Sequence, residues 1–417
     1  MLTTSPRGTQ DILPGQSHKF QFVEDTFRDL CRRFGYQEIR TPVFEHTELF
    51  QRGVGETTDI VQKEMYTFLD RSNRSLTLKA EGTAPAARAF VEHNMHALTQ
   101  PIKLFYITPV FRYERPQAGR YRQHEQCGVE LFGTLSPQGD AEVIILADSF
   151  YRQLGLSHYE LFINSVGCPT CRVTHGEALH QALGEVLADL CTDCRSRYDR
   201  NPMRILDCKN ERCQELTVNA PTVRDHLCPD CENDYSQVKK ALADSHITYK
   251  ENPRLVRGLD YYTHTAFEFI STGIGAQSAI GGGGRYNGLI ETVGGQSTPG
   301  VGFGLGVERI LLALELEGVK VPEPQPLGVF VATLGAAASQ AGFALVQTLR
   351  RAGLSAEKDL LDRSLKAQLK YAGKLNAKRV VILGEDELHR GIAVVKDMSS
   401  GEQQEVALVN LEQALRK

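Results

Sequence analysis

An arginine-rich stretch between two strand-like segments constrains the fold of this 417-residue chain more than any other feature. The preceding segment, KLFYITPVFRYE (103–114), is rich in β-branched and aromatic residues, and CGVELFG (127–133) has the composition of a returning strand. Gly119 marks a turn between them, so the pattern predicts a β-hairpin. Four arginines lie close together in this hairpin: Arg112, Arg115, Arg120 and Arg122.

The hairpin residues allow two interpretations. A guanidinium group matches the geometry of phosphate and binds it through two parallel hydrogen bonds, so the arginines favour an anionic ligand. A solvated, charged hairpin tip would have the same composition. Because Glu114 lies among the arginines and Glu130 follows them, a ligand that carries both signs of charge fits the stretch best.

The overall composition is that of an ordinary globular protein. Apolar residues make up 41% of the chain and charged residues 24%, and the net charge is −4. We expect two or three domains, and any RNA partner must bind local basic patches. The sequence has no run of about 18 apolar residues and no apolar signal-peptide core, so we expect no membrane span and a cytoplasmic protein.

A helix and a proline-containing strand are predicted near the N-terminus. In residues 17–34, apolar side chains recur at the spacing of one helix face, and Gly35 ends the pattern. The next segment, YQEIRTPVFEHTELF (36–50), is predicted as a strand. Pro42 cannot donate a ladder hydrogen bond, so this strand belongs at a sheet edge or an interface.

A strand that runs into a helix is predicted for LTLKAEGTAPAARAF (76–90). Glu81 and Thr83 fall at the junction between the two elements. Thr83 could be the N-cap of the helix, because its hydroxyl oxygen can accept a hydrogen bond from the first turn. Another helix is predicted over residues 139–155.

The segment at about 165–250 looks like an insertion with its own composition. It holds eight of the ten cysteines, in four pairs: Cys168 and Cys171, Cys191 and Cys194, Cys208 and Cys213, and Cys228 and Cys231. In a chain without a secretory signal, such thiols are free or bind metal. The separation of the first two pairs is typical of zinc sites, and eight thiols suit two four-cysteine sites, although the sequence leaves the pairing open. Reduced, partly buried cysteines without metal are the alternative.

Glycine-rich and aromatic segments follow the insertion. In LVRGLDYYTHTAFEF (255–269), alternation in THTAFEF predicts a strand, and RGLDYY before it predicts a turn. GGGGRYNGL (281–289) is compatible with a flexible turn. GVGFGLGVERILLALEL (300–316) predicts a strand followed by a helix, with Arg309 in the first turn. Since an arginine there opposes the helix dipole, its placement indicates a functional contact.

The last part of the chain predicts a separate α/β domain. EGVKVPEPQP (317–326) has three prolines and predicts a linker. Strand-like and helix-like segments alternate after it: GVFVATLG, AASQAGFALVQTLRRAG, SLKAQLKYAGKL and KRVVILG. Residues 327–417 contain 13 Lys and Arg against 10 Asp and Glu. This small basic excess is compatible with RNA binding and equally with ordinary solvated helices.

Several of these segments resemble the motifs of one enzyme family. FRYERPQAGRYRQ (111–123) resembles motif 2 of the class II aminoacyl-tRNA synthetases and is most similar to the pattern of histidine–tRNA ligases. RGLDYY (257–262) is similar to the histidine-specific signature of these ligases. The segment around Pro42 resembles motif 1, and residues 300–316 resemble motif 3. The motifs occur in the family's order, and the resemblance covers nearly the whole chain.

The resemblance implies an α+β fold. A class II synthetase-like catalytic core around an antiparallel sheet is expected over residues 1–325, including the cysteine-rich insertion, and an α/β anticodon-binding domain over 326–417. The family is homodimeric and uses ATP and Mg²⁺ to form histidyl-adenylate, from which L-histidine is transferred to tRNA(His). Its chemistry needs no zinc in the insertion, so any zinc there would be structural.

The resemblance also implies roles for individual residues. Arg257 and Arg112 are the expected catalytic residues, at the α-phosphate and the attacking carboxylate. L-histidine is expected to bind to Glu81, Thr83, Gln126, Glu130, Tyr261, Tyr262 and Tyr286. ATP is expected to bind to Arg112, Glu114, Arg120, His124 and Arg309. Arg115 and Gln117 are expected to reach the tRNA acceptor end.

One position departs from the family pattern. Where these ligases usually have a phenylalanine, this chain has His124, followed by Glu125. The imidazole could still stack on adenine. Because histidine titrates near neutral pH, the affinity for ATP would then depend on pH.

A second hypothesis is a non-catalytic relative. The histidine-sensing regulatory subunit of ATP phosphoribosyltransferase has the same core and binds histidine as a signal. Such proteins tend to lack the arginine signature and the anticodon domain. This chain has Arg112, Arg257, Arg309 and a C-terminal domain, which favours the ligase.

Overall fold

The structure, a computed structural model of the chain, describes residues 3–55, 58–274 and 279–416. The chain divides after Pro322 into two compact units, which we call the large unit and the small unit. This division falls inside the three-proline stretch 317–326.

The large unit is built on two sheets. Its strands among the described residues are β1 (Gln37–Glu38), β2 (Phe44–His46), β3 (Thr67–Leu69), β4 (Ser75–Leu78), β5 (Ile102–Phe111), β6 (Gln123–Phe132), β7 (Tyr159–Ser165), β8 (Lys250–Glu251), β9 (Thr263–Ser271), β10 (Ala279–Arg285) and β11 (Gly300–Gly306). Eight of them form one sheet in the order β1-β5-β6-β11-β10-β9-β7-β8, and β2, β4 and β3 form a small antiparallel sheet. In the large sheet, β1 with β5 and β7 with β8 are parallel, and the other neighbours are antiparallel. The predicted antiparallel core is confirmed.

Helices flank the large sheet. The α-helices are α1 (Ser17–Arg33), α2 (Thr47–Val54), α3 (Thr83–Glu92), α4 (Pro137–Leu154), α5 (Pro169–Gly184), α6 (Thr192–Arg197), α7 (Glu211–Leu216), α8 (Pro229–Asp244), α9 (Leu289–Thr292) and α10 (Val307–Leu316). A π-helical turn lies at Ile60–Glu64, and 3₁₀ turns lie at Met95–Ala97, Leu187–Asp189, Pro202–Ile205 and Val223–His226. The helices predicted over 17–34 and 139–155 correspond to α1 and α4 and are confirmed.

The main apolar core lies between one face of the large sheet and helices α1, α4 and α10. Phe27 of α1 is fully buried, and its ring packs edge-on against Phe150 of α4 and Phe303 of β11, with centroids 5.2 and 6.3 Å apart. The apolar residues that recur at helical spacing in α1 therefore form the face that packs on the core, as the sequence predicts.

The strand predicted over residues 36–50 is wrong in its second half. The segment forms β1, then β2, and then helix α2 from Thr47. Pro42 separates the two strands, which belong to different sheets. Beyond it, Phe50 and Val54 are buried one helical turn apart, so the helical period prevails over the β-branched composition.

The cysteine-rich segment forms a helical body between β7 and β8, made of α5 to α8 and short 3₁₀ turns. Its own core contains Leu179, Leu183 and Ile205, together with Cys194 and Cys213. Because β7 and β8 are neighbours at the end of the strand order, the chain leaves and re-enters the large sheet at the same edge.

The small unit is an α/β domain. Its strands are β12 (Val329–Leu334), β13 (Ala356–Lys358), β14 (Arg379–Gly384), β15 (Ile392–Asp397) and β16 (Gln403–Ala407), in the order β13-β12-β14-β15-β16. Its helices are α11 (Ala336–Arg351), α12 (Leu365–Lys374), α13 (Glu385–His389) and α14 (Leu411–Arg416), with a 3₁₀ turn at Leu408–Asn410. The first three strands are parallel, as the predicted strand–helix alternation requires. The closing β15–β16 hairpin was not predicted.

Among the described helices, none combines the length and the apolar character that crossing a membrane requires.

Candidate active site

Strand alternation gives the large sheet two chemically different faces. Along β6, Cys127, Val129 and Leu131 belong to the apolar core, so the alternate residues Gln126 and Glu130 lie on the opposite face. We call this opposite face the site face. Polar side chains on it are the first requirement for a binding site.

Glycines on the site face make room for these side chains. On β11, a Cβ at Gly302 would overlap the carboxylate of Glu130, and a Cβ at Gly304 would overlap the amide of Gln126. Gly302 lies directly opposite Glu130 in the β6–β11 ladder, and Gly304 lies opposite Gly128, two residues from Gln126. Side chains of the neighbouring strand therefore require these two glycines.

The glycine run of β10 also makes room for a side chain on the site face. A Cβ at Gly282 would lie 2.8 Å from the guanidinium carbon of Arg257, which is too close for van der Waals contact. The interpretation of GGGGRYNGL as a flexible turn is wrong, because residues 279–285 form a strand in the middle of the large sheet.

The site face and the loops around it enclose a cleft of about 350 Å³. Eleven predicted site residues line it: Glu81, Thr83, Arg112, Glu114, Arg120, His124, Gln126, Arg257, Tyr261, Tyr262 and Arg309. Glu130 and Tyr286 are buried behind this lining, and Thr83 and Tyr261 connect them to it. Segments that are far apart in the sequence therefore meet in one cleft.

A carboxylate cluster occupies one part of the cleft and consists of Glu81, Thr83, Tyr106, Gln126, Glu130, Tyr261 and Tyr286. The Thr83 hydroxyl donates to Glu130 at 2.7 Å, and the Tyr106 hydroxyl donates at 3.0 Å. The Tyr286 hydroxyl donates to the other oxygen of Glu130. Burial raises the pKa of Glu130 to about 8. Three hydroxyl donors thus hold this carboxyl group in one orientation.

Glu81 fastens the start of α3 to the cluster. Its carboxylate accepts the backbone N–H groups of Thr83 and Ala84 at 2.9 and 2.6 Å, and burial raises its pKa. Gly82, which donates its N–H to the Gln126 side-chain oxygen at 2.9 Å, precedes the first helical residue. The predicted N-cap role of Thr83 is therefore wrong. Thr83 is already helical, and its hydroxyl donates across the cleft floor instead of accepting from the helix.

Arg257 is a fixed cation in the cleft wall. Its Nη1 donates to the carboxylate of Glu268, and its guanidinium carbon lies 6.0 Å from the ring centroid of Tyr262. Burial opposes the charged form, but the Glu268 carboxylate outweighs it and raises the pKa of Arg257. Its buried Nε has no hydrogen-bond partner among the described residues. A permanently charged group with an unused donor thus stands at the cleft.

An arginine cluster occupies another part of the cleft and consists of Arg112, Glu114, Arg120, His124 and Arg309. Arg112 Nε donates to the carbonyl of Ala80 at 2.7 Å, and Arg309 Nη1 donates to the carbonyl of Ala279 at 2.6 Å. Arg120 pairs with Glu114. Burial and the neighbouring Arg112 lower the pKa of Arg309. The sequence predicts this concentration of positive charge, and an anionic ligand would stabilise it.

His124 does not have the pKa near neutrality that is usual for a histidine. Burial, followed by the charge of Arg112, lowers the pKa of His124 to about 3. The imidazole is therefore neutral at physiological pH. A change of ATP affinity with pH near neutrality, as expected from an ordinary histidine, does not follow from this environment.

The remaining predicted residues lie on the hairpin loop outside the cleft lining. Arg115 and Gln117 are exposed, and Gln117 exchanges backbone hydrogen bonds with Arg120 across the turn. Arg122 stacks on the ring of Tyr113, at 3.8 Å from its centroid, and packs the loop together. Of the four arginines that the hairpin carries, Arg112 and Arg120 line the cleft.

Three residues in or directly behind the cleft lining were not predicted from the sequence: Tyr106, Glu268 and Arg204. Tyr106 lies directly opposite Gly128 in the hairpin, and a Cβ at Gly128 would overlap its ring. Glu268 is a charged residue between two buried phenylalanines of β9, and that break in the apolar pattern could have identified it. Arg204, from the insertion, lines the cleft and has a buried, unpartnered Nη1 in the described structure. No signal in the sequence indicates that contact.

The eight insertion cysteines form two four-sulfur clusters. The outer cluster consists of Cys168, Cys171, Cys228 and Cys231, and the inner cluster of Cys191, Cys194, Cys208 and Cys213. Within each, the sulfur atoms lie within 4.8 Å of one another. The pairing is nested, so the spacing between the first two pairs, which is typical of a single zinc site, does not correspond to either cluster.

The sulfur geometry fits a tetrahedral metal ion. Cys168 Sγ lies 3.6 Å from Cys171 Sγ and 4.0 Å from Cys228 Sγ, whereas zinc with bonds of about 2.3 Å would place its sulfur ligands about 3.8 Å apart. Backbone N–H groups of Cys228 and Cys191 donate to cluster sulfurs at 3.1 and 3.2 Å. All ten cysteines lie in the described ranges and are free thiols.

The mainly antiparallel sheet, with an arginine hairpin over its site face and an arginine in the first turn after a glycine strand, defines the catalytic domain of a class II aminoacyl-tRNA synthetase. A family model described as histidyl-tRNA synthetase matches residues 8–192 and 205–310, and an anticodon-binding-domain model matches residues 328–417. The chain therefore belongs to the histidyl-tRNA synthetase family.

Individual relatives agree with this assignment. The chain is 59% identical over 411 residues to a protein of Desulforamulus reducens named histidine–tRNA ligase, with 99% of this chain and 98% of the relative covered. A crystal structure of apo S. aureus histidyl-tRNA synthetase is 41% identical, with a TM-score of 0.86, and 99% of this chain and 100% of that chain are covered.

A more distant structure shares the fold alone. The structure from Bacillus halodurans C described as an ATP phosphoribosyltransferase regulatory subunit/histidyl-tRNA synthetase has a TM-score of 0.66 at 21% identity, over 92% of this chain and 98% of that one. At that identity the likeness does not distinguish a regulatory subunit from a ligase.

Proposed function

We propose that the chain ligates L-histidine to tRNA(His), with ATP, through a histidyl-adenylate intermediate. The observation that carries the proposal is one cleft that holds a carboxylate cluster, an arginine cluster and the fixed cation Arg257. Family membership at 59% identity over nearly the full length supports the same reaction. It favours the ligase over the regulatory-subunit hypothesis.

The carboxylate cluster binds the amino acid in this proposal. Glu81, Thr83 and Gln126 receive the α-ammonium group, since these three residues line the cleft around the start of α3 and carry oxygen acceptors. Glu130 and Tyr262 recognise the imidazole, which needs a polar partner at both ring nitrogens. Tyr261 and Tyr286 pack around this position, with ring centroids 5.5 Å apart. A non-cognate amino acid would not match the polar groups that this position presents.

The arginine cluster binds ATP in this proposal. Arg120 and Arg309 hold the distal phosphates, Glu114 receives the adenine edge and His124 lies beside the base. Mg²⁺ bound to the phosphates would neutralise their charge. Arg112 and Arg257 offset the repulsion between the histidine carboxylate and the α-phosphate as a new O–P bond forms and diphosphate leaves.

The tRNA makes contact at two places in this proposal. Arg115 and Gln117 are exposed on the hairpin loop and reach the acceptor end. In the small unit, Lys366, Lys370 and Lys374 are exposed one turn apart on α12 and form a basic stripe suited to the anticodon loop. Charge reversal at Lys370 is expected to weaken tRNA binding without changing histidine activation.

We also propose a cytoplasmic homodimer. The small sheet exposes apolar side chains: Val43, Phe44, Phe68 and Leu69. The rings of Phe44 and Phe68 lie 6.4 Å apart, so these two side chains form one apolar patch, with Val43 next to Phe44 and Leu69 next to Phe68 in the sequence. A Phe68→Glu variant is expected to shift the protein from dimer to monomer in sedimentation velocity, whereas wild-type protein that sediments as a monomer would contradict the dimer.

A histidine-dependent ATP–diphosphate exchange assay, followed by aminoacylation of tRNA, tests the proposed reaction. A ligase gives both activities. Histidine binding without exchange would identify the regulatory-subunit alternative, and activation of another amino acid in place of histidine would overturn the assignment of the carboxylate cluster.

Structural zinc in both cysteine clusters is a further part of the proposal, supported by the sulfur separations. Protein purified in zinc-replete medium without chelator is expected to contain one zinc ion per cluster. Cys194→Ser is expected to remove the inner ion, whereas Cys31→Ser, in the main core, is expected to leave the zinc content unchanged. Substoichiometric zinc in the wild-type protein would contradict this.

A further inference from the structure

The segment RGLDYY (257–262) has no regular structure of its own. Its residues lie in turns and bends between the insertion and β9, outside any helix or strand. The backbone of such a segment is not fixed by the hydrogen bonds of a helix or a sheet. Neighbouring side chains must therefore fix its carbonyl and carboxylate groups. In this chain Arg172 and Asn201 do so, and both lie in the cysteine-rich segment.

The outer cluster holds the end of the segment. Arg172 directly follows the cluster ligand Cys171, and its Nη2 donates to the backbone carbonyl of Tyr262. Its Nε donates to the carbonyl of Val166 at 3.2 Å. The guanidinium thus connects two backbone segments next to the cluster.

A second connection to the outer cluster follows two residues later. His264 accepts a backbone hydrogen bond from Val166 at 2.7 Å, and its own N–H donates to Gly167 at 3.0 Å. His264 has a φ of 48°, a left-handed conformation that a non-glycine residue holds only where its surroundings fix it. Gly167 precedes the cluster residue Cys168.

The inner cluster holds the middle of the segment. Asn201 lies between Cys194 and Cys208, and its side-chain nitrogen donates to Asp260 Oδ1 at 2.8 Å. The backbone N–H of Asp260 donates in turn to Val54 at 3.1 Å. Each cluster therefore reaches a different residue of the same six-residue segment.

We propose that Arg172 and Asn201 are positioning residues that fasten segment 257–262 to the two metal–thiolate clusters, so that affinity for histidine depends on the clusters being filled. This inference rests on the proposed function, in which Tyr261 and Tyr262 bind histidine. A metal ion that joins four sulfurs fixes the backbone at Cys171, directly before Arg172, and at Cys194 and Cys208, between which Asn201 lies. Without it, each side chain would have to be ordered at the moment that histidine binds, which lowers affinity.

The chain offers a matched control for Arg172. Arg195 follows Cys194 just as Arg172 follows Cys171, but it is exposed and donates to Ala188 within the insertion. Arg172→Ala is expected to weaken histidine binding about tenfold, as loss of a charged hydrogen bond typically does, and to leave the ATP dissociation constant within about threefold. Arg195→Ala is expected to change neither. Arg172→Lys should restore part of the affinity, because an ammonium group can reach one of the two carbonyls.

Calorimetric titration of the zinc-loaded wild type and variants with histidine, and separately with ATP, measures this split. Zinc analysis of the same samples shows whether each variant keeps its ions. Equal losses of histidine and ATP affinity in Arg172→Ala, or no loss of either, would overturn the inference. If the wild-type protein does not bind histidine, the proposed function fails instead, so the two failures are distinguishable.

Hydrogen exchange gives a readout that does not depend on catalysis. Amides in peptides that cover residues 257–264 are expected to exchange faster in Arg172→Ala, in Asn201→Ala and in Cys194→Ser than in the wild type. Unchanged exchange there in Cys194→Ser, with the inner zinc lost, would show that the inner cluster does not position the segment.

Discussion

The carboxylate cluster and the arginine cluster line one cleft but are built in opposite ways. Glu130 and Tyr286 are 0% and 1% exposed, and their polar groups already pair with each other. The side chains of Arg112 and Arg120 keep 22% and 28% exposure. Burial, with the added repulsion of Arg309, lowers the pKa of Arg120. One cluster is complete before its ligand arrives, and the other places three arginines against the single carboxylate of Glu114, so it keeps a net positive charge.

The difference suits the two proposed ligands. An amino acid is selected by polar groups held in fixed orientations, since a wrong side chain cannot match the donors and acceptors that those orientations present. A nucleoside triphosphate carries several negative charges, and it relieves the repulsion among the arginines when it binds. Substitutions in the two clusters should therefore impair binding of different ligands, and the residue that serves both, Arg257, should affect the chemical step.

The largest effect is expected for Arg257→Ala. A fixed cation offsets the repulsion between carboxylate and phosphate without reorganising, and losing such a group typically costs about 3–4 kcal/mol. Adenylate formation should slow by about two to three orders of magnitude, with a far smaller loss of histidine affinity. Arg257→Lys should recover only part of the rate, because a point charge cannot replace the guanidinium fork that also donates to Glu268.

Single-turnover measurement of adenylate formation separates this chemical effect from binding. An unchanged rate constant at saturating histidine and ATP would show that Arg257 only binds a ligand. Arg257 would then not connect the two clusters through the chemical step.

Reciprocal substitutions test whether the clusters are separable. Glu130→Gln removes a carboxylate that accepts three hydroxyls and should weaken histidine binding about tenfold or more, with the ATP dissociation constant within about threefold. Arg309→Gln should do the reverse, because it removes a charged contact with phosphate. Calorimetric titration of both variants with histidine and with ATP gives the four dissociation constants that this test compares.

Glu160→Gln is a matched control for the first variant, since Glu160 is a glutamate of the same sheet that pairs with Lys250 at the surface. It should leave both affinities unchanged. If Glu130→Gln and Arg309→Gln each weaken both ligands equally, the cleft is one cooperative network and the division into two clusters is wrong.

Much of the fold could be predicted from periodicity. The alternation of KLFYITPVF and CGVELFG yields β5 and β6, and the helical spacing of residues 17–34 yields α1, because each pattern buries one apolar face. The boundary at Thr47 and the strand character of 281–285 could not be predicted, since glycine has no side chain whose pattern would indicate a strand. The glycine at 282 is explained by Arg257, which lies on a segment that is distant in the sequence.

The candidate site shows the same limit. The family motifs predict Arg112, Glu81 and Gln126, and the structure places them in one cleft. Tyr106 and Arg204 carry no local signal, because their importance comes from residues far away in the sequence. The nested pairing of the cysteines likewise depends on contacts between segments that are distant in the sequence. Spacing alone favours a different pairing.

A smaller effect should appear in the dependence of stability on pH. Burial raises the pKa of Glu130 from 4.5 to about 8. Between these values the folded protein holds a proton that the unfolded chain releases, so the free energy of unfolding falls as the pH rises, by at most about 1.4 kcal/mol per pH unit. Above about pH 8 the contribution of Glu130 levels off.

Denaturant unfolding of the wild type and of Glu130→Gln, at several pH values from about 5 to about 8, measures this contribution, because groups common to both proteins cancel in the difference. The wild type should lose stability relative to Glu130→Gln as the pH rises. Parallel curves of stability against pH for the two proteins would show that Glu130 is ionised in the folded protein. The carboxylate cluster would then hold net charge, as the arginine cluster does.

The smallest effect is expected at His124, the one member of the arginine cluster whose charge is suppressed. Burial and the charge of Arg112 lower its pKa to about 3, so its ring is neutral wherever the enzyme is expected to work. Replacing it by phenylalanine exchanges one neutral ring for another. The KM for ATP in the exchange assay should therefore change by less than about threefold. For both proteins it should follow the same course between about pH 6 and about pH 8. A rise in the wild-type KM for ATP over this range, absent in His124→Phe, would show that His124 titrates near neutrality and contributes positive charge to the cluster.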